Sequence, residues 1–276
     1  MKDRAYCKIN LALDVINRRE DGYHNLKMIM VPCDFYDEIE IIKNDTMEYN
    51  SPKRNMFFDD NNTIVKAIKL MKENFNIKDN FIVNLNKHIP IKAGLAGGST
   101  DGASVIRILN KMYKLELSSE KIKELCLKIG ADVLFNYYNK PALVEGIGDK
   151  LSFIDIKDDY YVLIIKPKSG VSTKECYGAL DFNKCEHPDI DLILEKLKNG
   201  EEVRDLLKNS LEEPACRLCP SILKALEDLK EAGGQGIVSG SGSSIFMIDK
   251  DEAHLAKLKD KLKDKGYFIR LTKILK

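Results

Sequence analysis

The chain has no tryptophan, only four histidines among 276 residues, and no prevailing charge. The missing tryptophan excludes nothing. The charge balance does: 44 basic against 43 acidic residues leave +1, so no global field draws a nucleic acid or a membrane surface. The lysines are spread along the chain, without an arginine-rich or aromatic-interleaved run. No stretch reaches about eighteen apolar residues, so no membrane span is expected. The first residues carry no apolar core followed by a cleavage site, so a secretory signal is not expected either. Seven cysteines stand at 7, 33, 126, 176, 185, 216 and 219. An odd number at irregular spacing does not read as a disulfide framework. Cys216-Arg-Leu-Cys219 has neither a second pair nor an H-x-x-H behind it. No metal site is expected, and reduced thiols in a cytoplasmic protein are. Repeats and low-complexity segments are lacking.

What is present is an alternation of strand-like and helix-like segments around one glycine-rich stretch. The length suggests two domains as a prior. Residues 5–15 alternate with period two, with Lys8 and Asn10 on the face opposite the apolar one. Residues 27–49 read as two or three strands, and 63–75 has helical spacing after Asp59-Asp60-Asn61-Asn62. Phe81–Lys87 alternates again as a half-buried strand. Ala103, Ile106 and Leu109 recur at helical spacing. Between them lies Pro90-Ile91-Lys92-Ala93-Gly94-Leu95-Ala96-Gly97-Gly98-Ser99-Thr100-Asp101. Three glycines allow the backbone to approach a ligand closely, and the unpaired N–H groups of a helix start suit a phosphate. The P-loop ending Gly-Lys-Ser/Thr is missing, and the spacing is not Gly-x-Gly-x-x-Gly. Read alone, the stretch is more often a turn followed by a capped helix than a phosphate site.

Further on, helices are expected at 119–129, 189–198, 201–208, 220–231 and 251–264, and strands at 160–167 and 267–274. The acidic stretch 152–159 sets the expected boundary between domains 1–155 and 156–276. Read alone, Lys8 is a solvated strand lysine, Asp132 caps the turn after Gly130, and Asp21-Gly22 is a hairpin tip. Ser239-Gly240-Ser241-Gly242-Ser243-Ser244, likewise, reads as a turn between apolar runs.

Pro90-x-x-Ala93-Gly94-Leu95-Ala96-Gly97-Gly98-Ser99-Thr100-Asp101 resembles the ATP loop of the GHMP small-molecule kinases, which include galactokinase, homoserine kinase and mevalonate kinase. The Gly-Leu-x-Gly-Gly-Ser form is most like the branch acting on 4-diphosphocytidyl-2-C-methyl-D-erythritol. Arg19-x-Asp21-Gly22-Tyr23-His24-x-Leu26 is close to a signature of that branch. Lys8-Ile9-Asn10-Leu11 resembles the family's first motif, Gly130-Ala131-Asp132-Val133 its catalytic segment, and residues 234–247 its third motif. The resemblance covers residues 4–248. Leu134 departs from it where the family has proline, and Asn139-Lys140-Pro141 stands where a glycine-rich turn is usual.

The resemblance implies an α+β, two-lobed GHMP kinase fold, with an N-terminal ATP-loop lobe and a C-terminal ferredoxin-like lobe carrying helical insertions. It implies ATP with Mg²⁺ on its phosphates, and phosphorylation of the 2-hydroxyl of a small cytidine-diphosphate substrate in the non-mevalonate route to isoprenoid precursors. Asp132 would be the base and Lys8 its partner. Asn62, Lys87 and residues 90–100 would lie at the nucleotide. Asn10, Tyr23, His24, Thr173, Tyr177, Gly240 and Ser241 would lie at the substrate, the aromatic groups against cytosine. No protein ligand to the metal is assigned, and monomer and homodimer stay open. Another GHMP kinase, a non-catalytic ATP sensor and a nucleic-acid binder are the alternatives. Asp21-Gly22-Tyr23-His24, the pair Lys8 and Asp132, and the charge balance argue against them in turn.

Overall fold

The computed structural model describes residues 1–53 and 56–276, in two compact units. The first comprises residues 1–7, 35–91 and 96–139; the second comprises 8–34, 92–95 and 140–276. The units are not consecutive halves of the chain because two long strands, β1 (Lys2–Arg18) and β2 (His24–Asn44), run from one into the other. The expected boundary at 155/156 falls within the second unit. The two or three strands expected over 27–49 are two: β2, 21 residues long and running to Asn44, and the short β3 (Glu48–Asn50). Residues 28–33 are buried without a break, which erases the period-two signal that would have marked the strand.

In the first unit, the C-terminal part of β2 pairs antiparallel with β4 (Asn80–Asn86), from Glu38 opposite Asn86 to Asn44 opposite Asn80. β3 lies parallel to β4. Ile39, Ile41, Phe81, Val83 and Leu85 point into the core. The unit's helices are α1 (Thr63–Phe75), α2 (Gly97–Met112), α3 (Ser119–Ile129) and α4 (Val133–Tyr138). α1 buries Ile64, Ala67, Ile68 and Met71, the stripe its sequence spacing announces. It packs along α2, and α2 packs on α4.

In the second unit, the N-terminal part of β2 pairs with β5 (Ala142–Gly146), which forms a hairpin with β6 (Lys150–Phe153). A second sheet contains β7 (Tyr161–Lys166), β8 (Ile237–Val238), β9 (Ile245–Asp249) and β10 (Phe268–Lys273). Its order is β10-β7-β9-β8, antiparallel throughout, as the ferredoxin-like expectation requires. The insertions are α5 (Thr173–Gly178), α6 (Ile190–Asn199) and α7 (Glu212–Leu218). α8 (Pro220–Glu231) and α9 (Glu252–Leu262) cover the sheet. The helix expected at 201–208 is only one 3-10 turn, Arg204–Leu206. The Glu202 carboxylate accepts the N–H groups of Val203 and Arg204, a local bond that competes with a regular helix. Among the described residues, no helix is long and apolar enough to cross a membrane.

Candidate active site

The glycine stretch divides between the units. Its helical end belongs to the first. α2 starts at Gly97, earlier than its apolar spacing indicates, and its N-cap is Ala96. Ala96 lies in the left-handed region at φ 55° and makes no side-chain cap; a non-glycine residue there costs about 1–2 kcal/mol. Lys92, at φ 53°, is held the same way. Such outliers cluster at ligand sites, and a helix start without a side-chain cap is the kind that receives an anion. Ser99 is half-buried, while Thr100 is fully buried with its hydroxyl unpartnered. Thr63 Oγ1 donates to the Gly98 carbonyl at 2.5 Å. A Cβ on Gly98 would meet only Thr63 Oγ1, at 3.7 Å. On Gly97 it would meet Ile89 Cγ2 at 2.9 Å and Lys87 Nζ at 3.1 Å.

Lys87 stands directly behind this helix start. Its side chain is 2% exposed, and its ammonium donates to Asp37 Oδ2, to Asp101 Oδ2 at 2.6 Å and to the Gly97 carbonyl at 2.8 Å. Three acceptors occupy three protons, so the geometry gives Lys87 the work of holding the loop from behind. Asp37 Oδ1 in turn accepts the N–H groups of His88 and Ile89, at 2.5 and 2.8 Å. Burial opposes the lysine's charge, but Asp101 and Asp37 outweigh it and raise its pKa. Burial pushes the Asp101 carboxyl up, Lys87 pulls it back and Asp37 pushes it further, to about 8. Asp37 and the full burial of Asp101 carry no signal in the sequence, since Asp37 falls on a strand expected over 27–49 and Asp101 reads as a helix-start residue. Asn62 caps α1: its side-chain oxygen accepts from Ile64 N at 2.9 Å, and its amide donates to the Phe57 carbonyl at 2.8 Å. A cavity of about 260 Å³ opens in the same unit, lined by Asn50, Ser51, Pro52, Asn84, Leu85 and Asn86.

Asp132, also in the first unit, occupies the N-cap position of α4. Its side chain makes no capping hydrogen bond to the helix. Leu134, the departure from the family's proline, is buried at the second helical position. A proline there gives up an N–H that the helix start leaves unpaired in any case, and α4 forms without it. Asn139 closes α4 at φ 49°, ψ 47°, taking the left-handed role that a glycine would otherwise fill.

The second unit gathers Lys8, Asn10, Thr173, Gly240 and Ser241 with the start of the glycine stretch. Lys8 Nζ donates to Asn10 Oδ1 at 2.6 Å, both side chains on one face of β1 and both buried. Lys8 N donates to the Leu95 carbonyl at 3.2 Å. The turn 239–244 packs on residues 93–94: Ser244 N donates to the Ala93 carbonyl at 3.1 Å, and Ser239 Oγ to the Gly94 carbonyl at 3.2 Å. A Cβ on Gly94 would lie 2.0 Å from the Ser239 carbonyl oxygen, so no other residue fits. Thr173 Oγ1 and Ser241 Oγ share a hydrogen bond of 2.9 Å. Asn209, whose segment Asn209-Ser210-Leu211-Glu212 resembles another family element but carries no expected site role, holds the Val238 and Gly240 carbonyls, both at 2.8 Å.

Beside it the aromatic groups part. His24 lies against Tyr177, ring centroids 5.1 Å apart, and against Phe182 at 6.4 Å. Tyr23 is 62% exposed on the preceding turn. Phe182 was not anticipated; it follows a short helix and obeys no periodicity. Burial, then the Arg18 charge, lowers the His24 pKa, which keeps the imidazole neutral, with one donor and one acceptor nitrogen. All seven cysteines are free. Among the described residues no three His, Cys, Asp or Glu side chains gather to hold a metal.

Residues 62–140 match the family described as GHMP kinases N terminal domain, and residues 186–267 match GHMP kinases C terminal. The chain belongs to the GHMP kinases. It is an ATP-dependent phosphotransferase acting on a hydroxyl group. It is similar to the 4-diphosphocytidyl-2-C-methyl-D-erythritol kinase of Clostridium beijerinckii, 41% identical over 99% of this chain and 100% of that one. The kinase of the same name from Bacillus cereus is 35% identical over 97% of this chain and 96% of its own. A crystal structure of 4-(cytidine 5'-diphospho)-2C-methyl-D-erythritol kinase superposes with a TM-score of 0.84 at 28% identity, covering 99% of both chains. Homoserine kinase from Cytophaga hutchinsonii, at 17% identity, 98% and 94% coverage and TM-score 0.72, shares the fold.

Proposed function

We propose that this chain transfers the γ-phosphate of ATP to the 2-hydroxyl of 4-diphosphocytidyl-2-C-methyl-D-erythritol, a step toward isoprenoid precursors outside the mevalonate route. The observation that carries the substrate is the pairing of His24 with Tyr177, at the segment Asp21-Gly22-Tyr23-His24 that distinguishes this branch. Base stacking on such a surface is worth about 1–3 kcal/mol, and a neutral imidazole supplies a donor and an acceptor to the edge of cytosine. Relatives of that name over the full chain support the same reading.

A tertiary alcohol is a poor nucleophile at neutral pH. It needs a base within hydrogen-bond reach and in line with the γ-phosphate. Asp132 is the proposed base. Lys8, held by Asn10, is the proposed cation that orients the reacting groups and balances charge during transfer. The first turn of α2 receives the phosphates through backbone N–H groups. The cavity flanked by the amides of Asn50, Asn84 and Asn86 suits a planar polar ring such as adenine. Mg²⁺ needs few protein ligands when phosphates and water supply the rest; the hydroxyl of Ser99, with Thr100 behind it, fits such a site, and the ion would neutralise phosphate charge there. Seven free thiols support a reducing compartment, the cytoplasm.

A coupled ADP-release assay with diphosphocytidyl-methylerythritol, homoserine and mevalonate tests the substrate. Turnover with the first alone is expected; preference for either of the others rejects the assignment.

A further inference from the structure

The proposed base sits at one end of a helix of six residues, and something has to fix the other end. The last carbonyls of any helix lack partners within it. In α4 the Phe135 carbonyl is taken by Asn139 N at 3.0 Å. The next two are taken by a side chain from a different helix: Arg107 Nη1, from α2, donates to the Asn136 carbonyl at 2.5 Å and to the Tyr137 carbonyl at 3.2 Å. The rest of the guanidinium is fixed by β1. Nε donates to Asp3 Oδ2 at 2.9 Å, Nη2 lies 2.7 Å from the same oxygen, and Nη2 also donates to the Arg4 carbonyl at 3.3 Å. Ser104 Oγ, one turn earlier on α2, steadies that carboxylate at 2.7 Å.

The bonds continue to Asp132 itself. Asn136 is fully buried. Its backbone N–H and its side-chain amide both donate to the Asp132 carbonyl, at 3.1 and 2.7 Å. A run of hydrogen bonds therefore passes from Asp3 through Arg107 and Asn136 to the backbone of Asp132, all within the first unit. A cation at a helix C-terminus also matches the helix dipole. An isolated helix this short is unstable in water, so its aim depends on such anchors. Arg107 belongs to the same helix whose first turn is the proposed phosphate site, which ties the base to the phosphate-binding element.

We propose that Arg107 is a positioning residue for Asp132: it sets where the carboxylate points without touching ATP or the alcohol. This rests on the assignment of Asp132 as the base. A lysine at 107 keeps the cation beside Asp3 but lacks the planar fork that reaches both carbonyls.

The test is steady-state kinetics of the full chain as Arg107→Met, Arg107→Lys, Asp132→Asn and the double variant Arg107→Met/Asp132→Asn, with thermal melts to establish folding. A displaced catalytic group costs up to about a hundred-fold, so kcat of Arg107→Met is expected to fall roughly ten- to a hundred-fold, with KM for both substrates within about two-fold. Arg107→Lys recovers part of the loss, and carries the same test if Arg107→Met does not fold. On the Asp132→Asn background Arg107→Met adds little, because the group it aims is gone. Equal fractional losses on both backgrounds would make Arg107 a general stabilising residue and overturn the inference, as would normal kcat in a folded Arg107→Lys and Arg107→Met. Normal kcat in Asp132→Asn overturns the base assignment itself and the inference with it.

Discussion

Replacing Lys87 with methionine separates two roles for this residue. As a nucleotide ligand, Lys87 would be missed only when ATP is present. As placed in the fold, its ammonium is, among the described residues, the one cation bonded to both Asp37 and Asp101, with side chains 2%, 0% and 1% exposed. Methionine keeps the methylenes and removes the charge, leaving Asp37 buried beside Asp101 without the ammonium that both accept from. Breaking a buried pair in this way costs about 3–5 kcal/mol. At roughly 2–4 °C per kcal/mol for chains of this size, the melting midpoint is expected to fall by about 6–20 °C. The assay is a thermal melt followed by circular dichroism without nucleotide, with KM for ATP measured below the transition. The Gly97 carbonyl also loses its donor, so KM for ATP rises as well. Adding Asp101→Asn replaces the neighbouring carboxyl with an amide that can donate to Asp37, and recovers part of the midpoint. An unchanged midpoint with a raised KM for ATP would refute the reasoning and return Lys87 to the nucleotide.

The same cluster predicts a pH dependence. Asp101 keeps its proton to about 8 in the fold, against 3.8 for the free side chain, so its contribution to stability is complete below about 4 and is lost as pH rises toward 8. Denaturant titrations of Asp101→Asn should lack this decline; a parallel profile in the variant would exclude Asp101 as its source. Gly98→Val should abolish ATP binding in a folded protein, since a Cβ there meets little of the protein itself; calorimetric binding of ATP at wild-type affinity would reduce the loop to a turn. Gly97→Val is the poorer probe, because Ile89 and Lys87 block it first. Tyr177→Ala and Phe182→Ala should each raise KM for the cytidine substrate about five- to a hundred-fold, the loss of one stacking contact, with KM for ATP nearly constant; the reverse pattern would exchange the two ends of the site. Asp132→Asn and Lys8→Met should bind both ligands by calorimetry and lose about 10²–10⁴-fold in kcat, non-additively in combination; near-normal turnover of Asp132→Asn would remove it as base.

Much of this was legible along the chain, where the relevant physics is local. The apolar spacing of 63–75 and 220–231 set two helices, and the alternation at 5–15 and 81–87 set two strands. The glycine stretch announced a loop leading into a helix by the torsional freedom of its residues and by the polar residues after it. Lys8 and Asn10 were bound to share a face because strand side chains alternate. Other features had no local cause. The full length of β2 had no local mark, because burial on both faces over residues 28–33 removes its alternation. Lys87, at the end of a strand, reads equally as a nucleotide-side lysine or a solvated strand end; it is buried because Asp37 lies 50 residues earlier and Asp101 lies 14 later, and only the folded backbone brings the three together. Phe182 meets His24 across more than 150 residues for the same reason. Arg107 reads as an ordinary polar position on α2 until the carbonyls of Asn136 and Tyr137 end in front of it. Side-chain type and spacing fix what each segment tends to form, while the partners of a buried charge are set by the packing of segments distant in sequence, which no local pattern encodes.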